Sequence, residues 1–257
     1  MGKIYFASDF HLGLNSPFNS SEEREKLLVS WLLKVAEDAE RIYLVGDLFD
    51  FWFEYKYTAP KGFVRFLGTL ASIKDSGIPI EIFTGNHDMW MFDYLEKELG
   101  VPIHRNPISI EHQGKKILLG HGDGLGPGDH GYKFIKKVFA NPVCQWLFAR
   151  IHPNLGFGVA NFWSGKSRVN SASPDYFLGV HHEWLVQYCH EIEAKKHYDY
   201  YVFGHRHLPI EYQFGQSKYI NLGDWLKYYT YGVLEDGNLQ LMRYRGKETI
   251  FTVNENQ

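Results

Sequence analysis

The sequence predicts an α/β fold of parallel strands, interrupted once by a helical insertion. Three observations carry that prediction. Short apolar runs alternate with helical stripes through the first half of the chain. Between Tyr132 and about Lys196 the pattern turns helical and is broken by Pro142, Pro153, Gly156, Gly158 and Pro174. Strand patterning then resumes at Tyr200. Strand, helix, strand, helix, strand in that order implies parallel strands joined by helical crossovers.

Taken in order, Ile4 to Ala7 reads as a buried strand. Ser20 with Glu23 forms a capping box, and Leu27, Leu28, Trp31, Leu32 and Val35 give the following helix an apolar face. Ile42 to Val45 is the next strand. Phe63, Phe66, Leu67, Leu70 and Ile73 form a second helical stripe, ended by Ser76-Gly77 with Pro79 beyond. Ile80 to Thr84 is the third strand, a helix covers about Tyr94 to Leu99, and Ile117 to Leu119 leads into Gly120-His121. After the insertion come Tyr200 to Phe203, Ile210 to Phe214, Lys218 to Leu222, Tyr228 to Leu234 and Leu239 to Tyr244, with Gly237-Asn238 as the last hairpin turn. The chain divides into a core of residues 1–128 and 197–257 and a helical lid of residues 129–196.

With 257 residues, 44% of them hydrophobic, the chain can bury a sizeable core, and a net charge of -3 argues against a surface given over to nucleic acid. Cys144 and Cys189 have no paired spacing, so neither a disulfide framework nor a cysteine zinc site is expected. Met1 to Phe6 runs into a strand without a signal peptide's apolar core, Phe6 breaks the myristoylation pattern, and no apolar stretch is long enough to span a bilayer. A cytoplasmic protein is expected, with no obligate protein partner indicated.

Five blocks stand where strands should end: Asp9-Phe10-His11, Gly46-Asp47, Gly85-Asn86-His87-Asp88, His121-Gly122-Asp123 and Gly204-His205-Arg206-His207. Ligands in open α/β sheets collect at the carboxyl ends of strands. The blocks supply carboxylate, imidazole and amide donors and no thiolate, enough for two ions of the Mn²⁺, Fe or Zn²⁺ kind. Two such ions roughly 3.5–4 Å apart are the usual apparatus for hydrolysing phosphate esters and anhydrides. Asp9 and His11 alternate on a segment read as extended, which points both side chains the same way, and His205 and His207 repeat the spacing. Asp47 has two oxygens with which to bridge the ions, Asn86 offers a neutral carbonyl oxygen, and the glycines before the blocks permit tight turns. A single histidine at a strand end is more often structural, and His104, His112, His130, His152, His181, His182, His190 and His197 are read so.

This ordered set resembles the calcineurin-like metallophosphoesterase superfamily. The resemblance implies a four-layer αββα sandwich with two metals at the strand ends. By it Asp9, His11, Asp47 and His207 would hold one ion, and Asp47, Asn86, His121 and His205 the other, with a metal-bridging hydroxide as nucleophile. Within the superfamily the chain most resembles the UDP-2,3-diacylglucosamine diphosphatase family of the lipid A pathway, over nearly its whole length. That likeness rests on Gly46-Asp47-Leu48-Phe49-Asp50 followed by Trp52, on His121-Gly122-Asp123-Gly124-Leu125 with Asp129 and Tyr132, on Gly204-His205-Arg206-His207 followed by Pro209, and on Asn221-Leu222-Gly223-Asp224-Trp225. It implies Mn²⁺ as the metal and a nucleotide-sugar lipid cleaved at the uridine-linked phosphorus. It also implies His87 and Asp88 as catalytic residues, and substrate contacts at Asn86, His87, Asp129, Ser164, Lys166 and Arg168. One departure stands out: the best-known members of that family have Arg where this chain has His87. A His oriented by Asp88 can stabilise transition-state charge or act as a general acid.

The insertion points to a lipid on separate physical grounds. From Asp129 to Arg168 it carries Lys133, Lys136, Lys137, Arg150, Lys166 and Arg168 against the single acid Asp129, interleaved with Phe134, Phe139, Trp146, Phe148, Phe157, Phe162 and Trp163. A basic, aromatic lid suits acyl chains, phosphates and the anionic cytoplasmic face of the inner membrane. About half of these aromatics are expected to form the core of a small helical bundle instead. A soluble nucleotide diphosphate or phosphodiester is the alternative substrate, and a metal-bound lipid-binding module without catalysis the third reading.

Overall fold

The structure is a computed structural model that describes residues 2–128, 130–159, 176–247 and 249–254. Strands β1 (Lys3–Ala7), β2 (Ala39–Val45) and β3 (Ile80–Phe83) pair in parallel. Helices α1 (Ser21–Val35) and α2 (Val64–Asp75) connect them, as expected. Both halves of the capping box form: Glu23 N–H donates to Ser20 Oγ at 3.2 Å, and Ser20 N–H donates to Glu23 Oε2 at 2.8 Å. Leu28, Trp31, Leu32 and Val35 of α1 are buried, and so is Arg24 one turn earlier on the same face.

The sequence left two strands unread here. Helix α3 (Tyr94–Leu99) leads to a two-residue strand, β4 (Ile103–His104), which lies parallel to β3. Next comes β5 (Ile108–His112), antiparallel to β6 (Lys115–Leu119). The tail supplies β7 (Tyr200–Phe203), β8 (Pro209–Phe214), β9 (Ser217–Leu222), β10 (Thr230–Glu235), β11 (Asn238–Arg243) and a third unforeseen strand, β12 (Phe251–Asn254). The last hairpin turns at Asp236-Gly237, one residue before the expected pair. Both residues have positive φ, 50° and 76°, as a two-residue type I′ turn demands, while Asn238 already pairs with Glu235.

Two six-stranded sheets result, ordered β11-β10-β1-β2-β3-β4 and β12-β8-β9-β7-β6-β5. Ile4, Phe6, Val45 and Phe83 of the first sheet meet Ile117, Leu119, Val202 and Ile220 of the second in an apolar layer between them. The outer face of the first sheet is covered by α1, α2 and α3 through Leu28, Trp31, Phe66, Leu70 and Leu95. Helix α6 (Trp184–Glu193), which follows α4 (His130–Ala140) and α5 (Pro142–Phe148) in the chain, covers the second sheet, burying Leu185, Val186 and Cys189 beside Tyr201 and Phe203. The αββα sandwich is therefore present, and α6 serves as its fourth layer although it lies in the interval read as lid.

The rest of the described insertion is α4 (His130–Ala140), α5 (Pro142–Phe148) and helical turns at 153–159. These fasten onto the loops after β2 and β3. Trp90 Nε1 donates to the Phe139 carbonyl at 2.8 Å, Phe148 packs on Phe53 and Trp90 with centroids 4.7 and 4.8 Å away, and Phe157 packs edge-on against Phe51 at 5.0 Å. Phe134 and Trp146, by contrast, are 68% and 56% exposed, with Val143, Leu147, Leu155 and Val159 exposed around them. The aromatics of the insertion thus split between packing and solvent. Phe162 and Trp163 lie outside the described residues.

Candidate metal centre

All five blocks meet where β1, β2, β3, β6 and β7 end. The loops after β1 and β2 lie side by side through backbone bonds: Asp9 N–H to Gly46 O at 3.1 Å, His11 N–H to Asp47 O at 2.9 Å and Leu12 N–H to Leu48 O at 2.9 Å. Trp225 N–H donates to Asp9 O at 3.1 Å, and Gly204 N–H to His121 O at 2.9 Å, which ties in the second sheet. The expectation that Asp9 and His11 alternate on an extended segment is not met. Asp9, His11, Asp47, His205 and His207 all adopt positive φ, between 46° and 66°. Non-glycine residues rarely do so, and strain of this kind gathers at functional sites when the surroundings enforce it. Here the left-handed turns, not strand alternation, aim the side chains inward.

The convergence is close. His11 Nε2 lies 3.8 Å from Asp9 Oδ1 and 3.7 Å from Asp47 Oδ2, and His207 Nε2 lies 3.4 Å from Asp9 Oδ1. His121 Nε2 is 3.3 Å from Asp47 Oδ2. Asn86 Oδ1 lies 3.3 Å from His121 Nε2 and 2.8 Å from His205 Nδ1. Three groups have their donor atoms within 4.8 Å of one another: one is His11, Asp50 and His87, and the two formed by the expected ligands are Asp9, His11, Asp47 and His207, and Asp47, His121 and His205. Asp47 belongs to both of the latter.

These residues fit a divalent metal site. Asp9 Oδ1, Asp47 Oδ2 and His11 Nε2 are buried there without any hydrogen-bond partner. Orphaned polar atoms are costly in a folded interior, and three that face one point call for a cation. The electrostatics agree. Burial opposes charge on His11 and His121, yet the facing carboxylates raise both to about 10. Burial would likewise raise Asp9, but His207, His11 and His121 hold it down at about 2. The cluster gathers positive charge, which protons supply where a metal would displace them.

Partners behind the imidazoles fix their orientation, as behind metal-bound histidines. Asp50 Oδ1 faces His11 Nδ1 at 3.4 Å, Asp224 Oδ2 faces His207 Nδ1 at 3.3 Å, and His121 Nδ1 donates to the Val45 carbonyl at 2.8 Å. Asp50 and Asp224 lie inside two of the motifs that carry the family resemblance, but nothing in the sequence assigns them this role. The sequence reading also passed over Arg24, whose buried guanidinium donates to the carbonyls of Phe10 and His11, both at 2.7 Å, and braces the first loop from below.

Asp88 does not orient His87. Its Oδ2 accepts from Leu48 N–H at 2.7 Å and Phe49 N–H at 3.3 Å, and its Oδ1 accepts from Gly85 N–H at 2.7 Å, so it staples the loop after β3 to the loop after β2. His87 instead donates from Nδ1 to the Asp50 carbonyl at 3.0 Å and packs edge-on against His11, centroids 4.8 Å apart. Asp123 holds the insertion: Tyr132 OH donates to its Oδ2 at 2.6 Å and Lys136 Nζ lies 2.5 Å from the same oxygen. Gly85 and Gly204 are needed for close approach rather than for turning. A Cβ on Gly85 would overlap the Asp47 carboxylate, and one on Gly204 would stand 2.5 Å from Asp9 Oδ2. Asp129, Ser164, Lys166 and Arg168 lie outside the described residues.

Two sheets converge on a buried nitrogen-and-oxygen donor set, which defines a candidate divalent-metal centre at the strand ends. Residues 2–209 match the calcineurin-like phosphoesterase family model, and the chain belongs to that family. It is 39% identical over 254 residues to a UDP-2,3-diacylglucosamine hydrolase of Porphyromonas gingivalis, an alignment covering 93% of this chain and 96% of that protein. It is 27% identical over 228 residues to a protein of the same name from Aeromonas hydrophila, covering 86% and 90%. Among solved structures, Yfce, a phosphoesterase from E. coli, aligns with a TM-score of 0.46 at 16% identity, over 94% of this chain and 92% of that one.

Proposed function

We propose that the chain hydrolyses the diphosphate of UDP-2,3-diacylglucosamine to UMP and 2,3-diacylglucosamine 1-phosphate, a step of lipid A biosynthesis, with two Mn²⁺ ions. The observation that carries the substrate is the 39% identity, over 93% of the chain, to a protein named for its hydrolysis. Asp9, His11, Asp47 and His207 would hold one ion, and Asp47, Asn86, His121 and His205 the other. When bound, such a pair polarises the phosphoryl group and acidifies water for in-line attack. The chain's own groups set the stage. Asp47 Oδ2, which lacks a donor, would be free for the ions, while its Oδ1 accepts from His87 N–H at 2.8 Å. Asp50 and Asp224 keep His11 and His207 turned inward.

Residues 129–196 form the lid in this reading, with α6 as its base on the second sheet. Exposed Phe134, Trp146 and Leu147 beside the exposed Lys137 and Arg150 favour a lid that meets acyl chains and the anionic cytoplasmic face of the inner membrane. Among the described residues no helix is long and apolar enough to cross a membrane. Asp129, Ser164, Lys166 and Arg168, outside the described residues, are the contacts to sugar and phosphates that this proposal assigns.

With its Nδ1 proton given to the Asp50 carbonyl, His87 stabilises charge on the phosphoryl group in its protonated form, through Nε2–H, although burial lowers its pKa. His87→Ala should therefore lower kcat by roughly 10²-fold or more, while His87→Arg retains most of it. An arginine variant as slow as the alanine variant would show that the imidazole does something a guanidinium cannot. The site of attack is tested by hydrolysis in H₂¹⁸O. Mass spectrometry should find the label in UMP, and label in the lipid phosphate would contradict attack at the uridine-linked phosphorus.

A further inference from the structure

Arg206 stands between the ligand histidines His205 and His207, and its side chain turns away from them into an almost fully buried ion pair with Glu183. The contact is a fork. Arg206 Nε lies 3.0 Å from Glu183 Oε2 and Nη2 lies 3.1 Å from Oε1, with side-chain exposures of 11% and 4%. Two parallel bonds of this kind fix geometry as well as charge. Nη2 also donates to the Tyr176 carbonyl at 3.0 Å, and Glu183 Oε1 accepts from Leu178 N–H at 3.2 Å. One ion pair therefore joins the segment that returns from the lid, 176–183, to the loop that carries two of the expected ligands.

That loop needs a restraint. His205 and His207 sit at φ 66° and 58°, a conformation that L residues leave unless held. His205 N–H donates to Asp9 Oδ2 at 3.0 Å, which holds one side, while on the other the His207 ring faces the Asp224 carboxylate at 3.3 Å and the Asp9 carboxylate at 3.4 Å and stacks on His11 with centroids 4.9 Å apart. Arg206 is the residue between them, and its side chain leads out to a partner in a different part of the chain.

We propose that the Glu183–Arg206 pair is a positioning device, which fixes the turn that presents His205 and His207 to the metals and links their placement to the seating of the lid. This rests on the metal assignment above, not on the substrate. Neither residue touches the donor cluster, so the pair acts through the backbone.

Mn²⁺ binding, read from the electron paramagnetic resonance of the free ion without substrate, tests it. Glu183→Gln keeps the shape of the side chain and removes its charge, and should weaken Mn²⁺ affinity by roughly 10–100-fold, as loss of a partner behind a metal ligand does. Arg206→Lys keeps the charge and loses the fork, and should fall between that variant and the wild type. It also serves if Glu183→Gln does not fold. Glu193→Gln is the control on the same helix. It removes the charge of a carboxylate that accepts from Tyr201 OH at 2.6 Å and Tyr198 N–H at 3.2 Å, away from the metal cluster, and should bind Mn²⁺ as the wild type does. Equal affinity losses in Glu183→Gln and Glu193→Gln, or none in the first and in Arg206→Lys, would overturn the proposal. A wild type that binds no Mn²⁺ would overturn the metal assignment with it, whereas failure to cleave the lipid substrate would leave the test intact.

Discussion

Asp47→Ala should lower kcat/KM for diphosphate hydrolysis by a thousandfold or more, about 4 kcal/mol of transition-state stabilisation, and should lower the number of Mn²⁺ ions bound. Asp47 is the one carboxylate shared by the two donor groups. Burial works to protonate it, but His121, His87 and His11 face it and hold its pKa well below the ordinary carboxylate range. It is therefore an anion available to cations on both sides, and alanine takes its charge from both sites at once. Near-ultraviolet circular dichroism of the metal-free variant would check that the fold survives. Undiminished hydrolysis by a folded Asp47→Ala protein would revive the reading in which the metal centre is not catalytic.

Gly85→Ala should do nearly as much damage with a single methyl group. The backbone at Gly85 needs no left-handed φ, so conformational strain is not the cause. The cause is crowding: the new Cβ would overlap the Asp47 carboxylate and stand 2.7 Å from the Asp47 backbone nitrogen. Asp47 cannot withdraw, because its carbonyl accepts His11 N–H at 2.9 Å and its Oδ1 accepts His87 N–H at 2.8 Å. Overpacking of this kind costs ~1–3 kcal/mol of stability, and displacing the shared ligand should cost at least about 10²-fold in Mn²⁺ affinity and in hydrolysis. Gly68→Ala offers the contrast. Its Cβ meets nothing within 4 Å inside α2, and it should stabilise the protein by ~1 kcal/mol with activity unchanged. Chemical denaturation and Mn²⁺ titration of both variants read the two effects separately.

The sequence told most where local chemistry decides the outcome. Ser20 and Glu23 announce a helix start because both halves of the box lie within four residues, and both bonds form. The five blocks could be found because strand ends collect ligands whatever the rest of the chain does. What stayed hidden depends on neighbours distant in sequence. Strand β4 is two residues long and exists only beside β3. The left-handed turns at Asp9 and His11 are held by backbone bonds to the loop after β2, and the one at His205 by a bond to the Asp9 carboxylate, so no residue type signals them. Asp88 is adjacent to His87 in sequence yet turns to Leu48 and Gly85, while Asp50, from another loop, faces His87. Arg24 left a trace that was readable: four residues before Leu28 and seven before Trp31, it lies on the helix face those residues bury.

In the proposed division of labour, the strand-end residues run the phosphoryl chemistry and the insertion between His121 and His205 selects a lipid. Mn²⁺-dependent release of UMP from UDP-2,3-diacylglucosamine, measured beside the deacylated nucleotide sugar and simple nucleotide diphosphates, tests it most directly. The acylated substrate should be preferred by at least about a hundredfold in kcat/KM, the worth of burying only three or four methylene groups at ~0.8 kcal/mol each. Equal rates with and without acyl chains would leave the metal chemistry standing and contradict the role given to the lid.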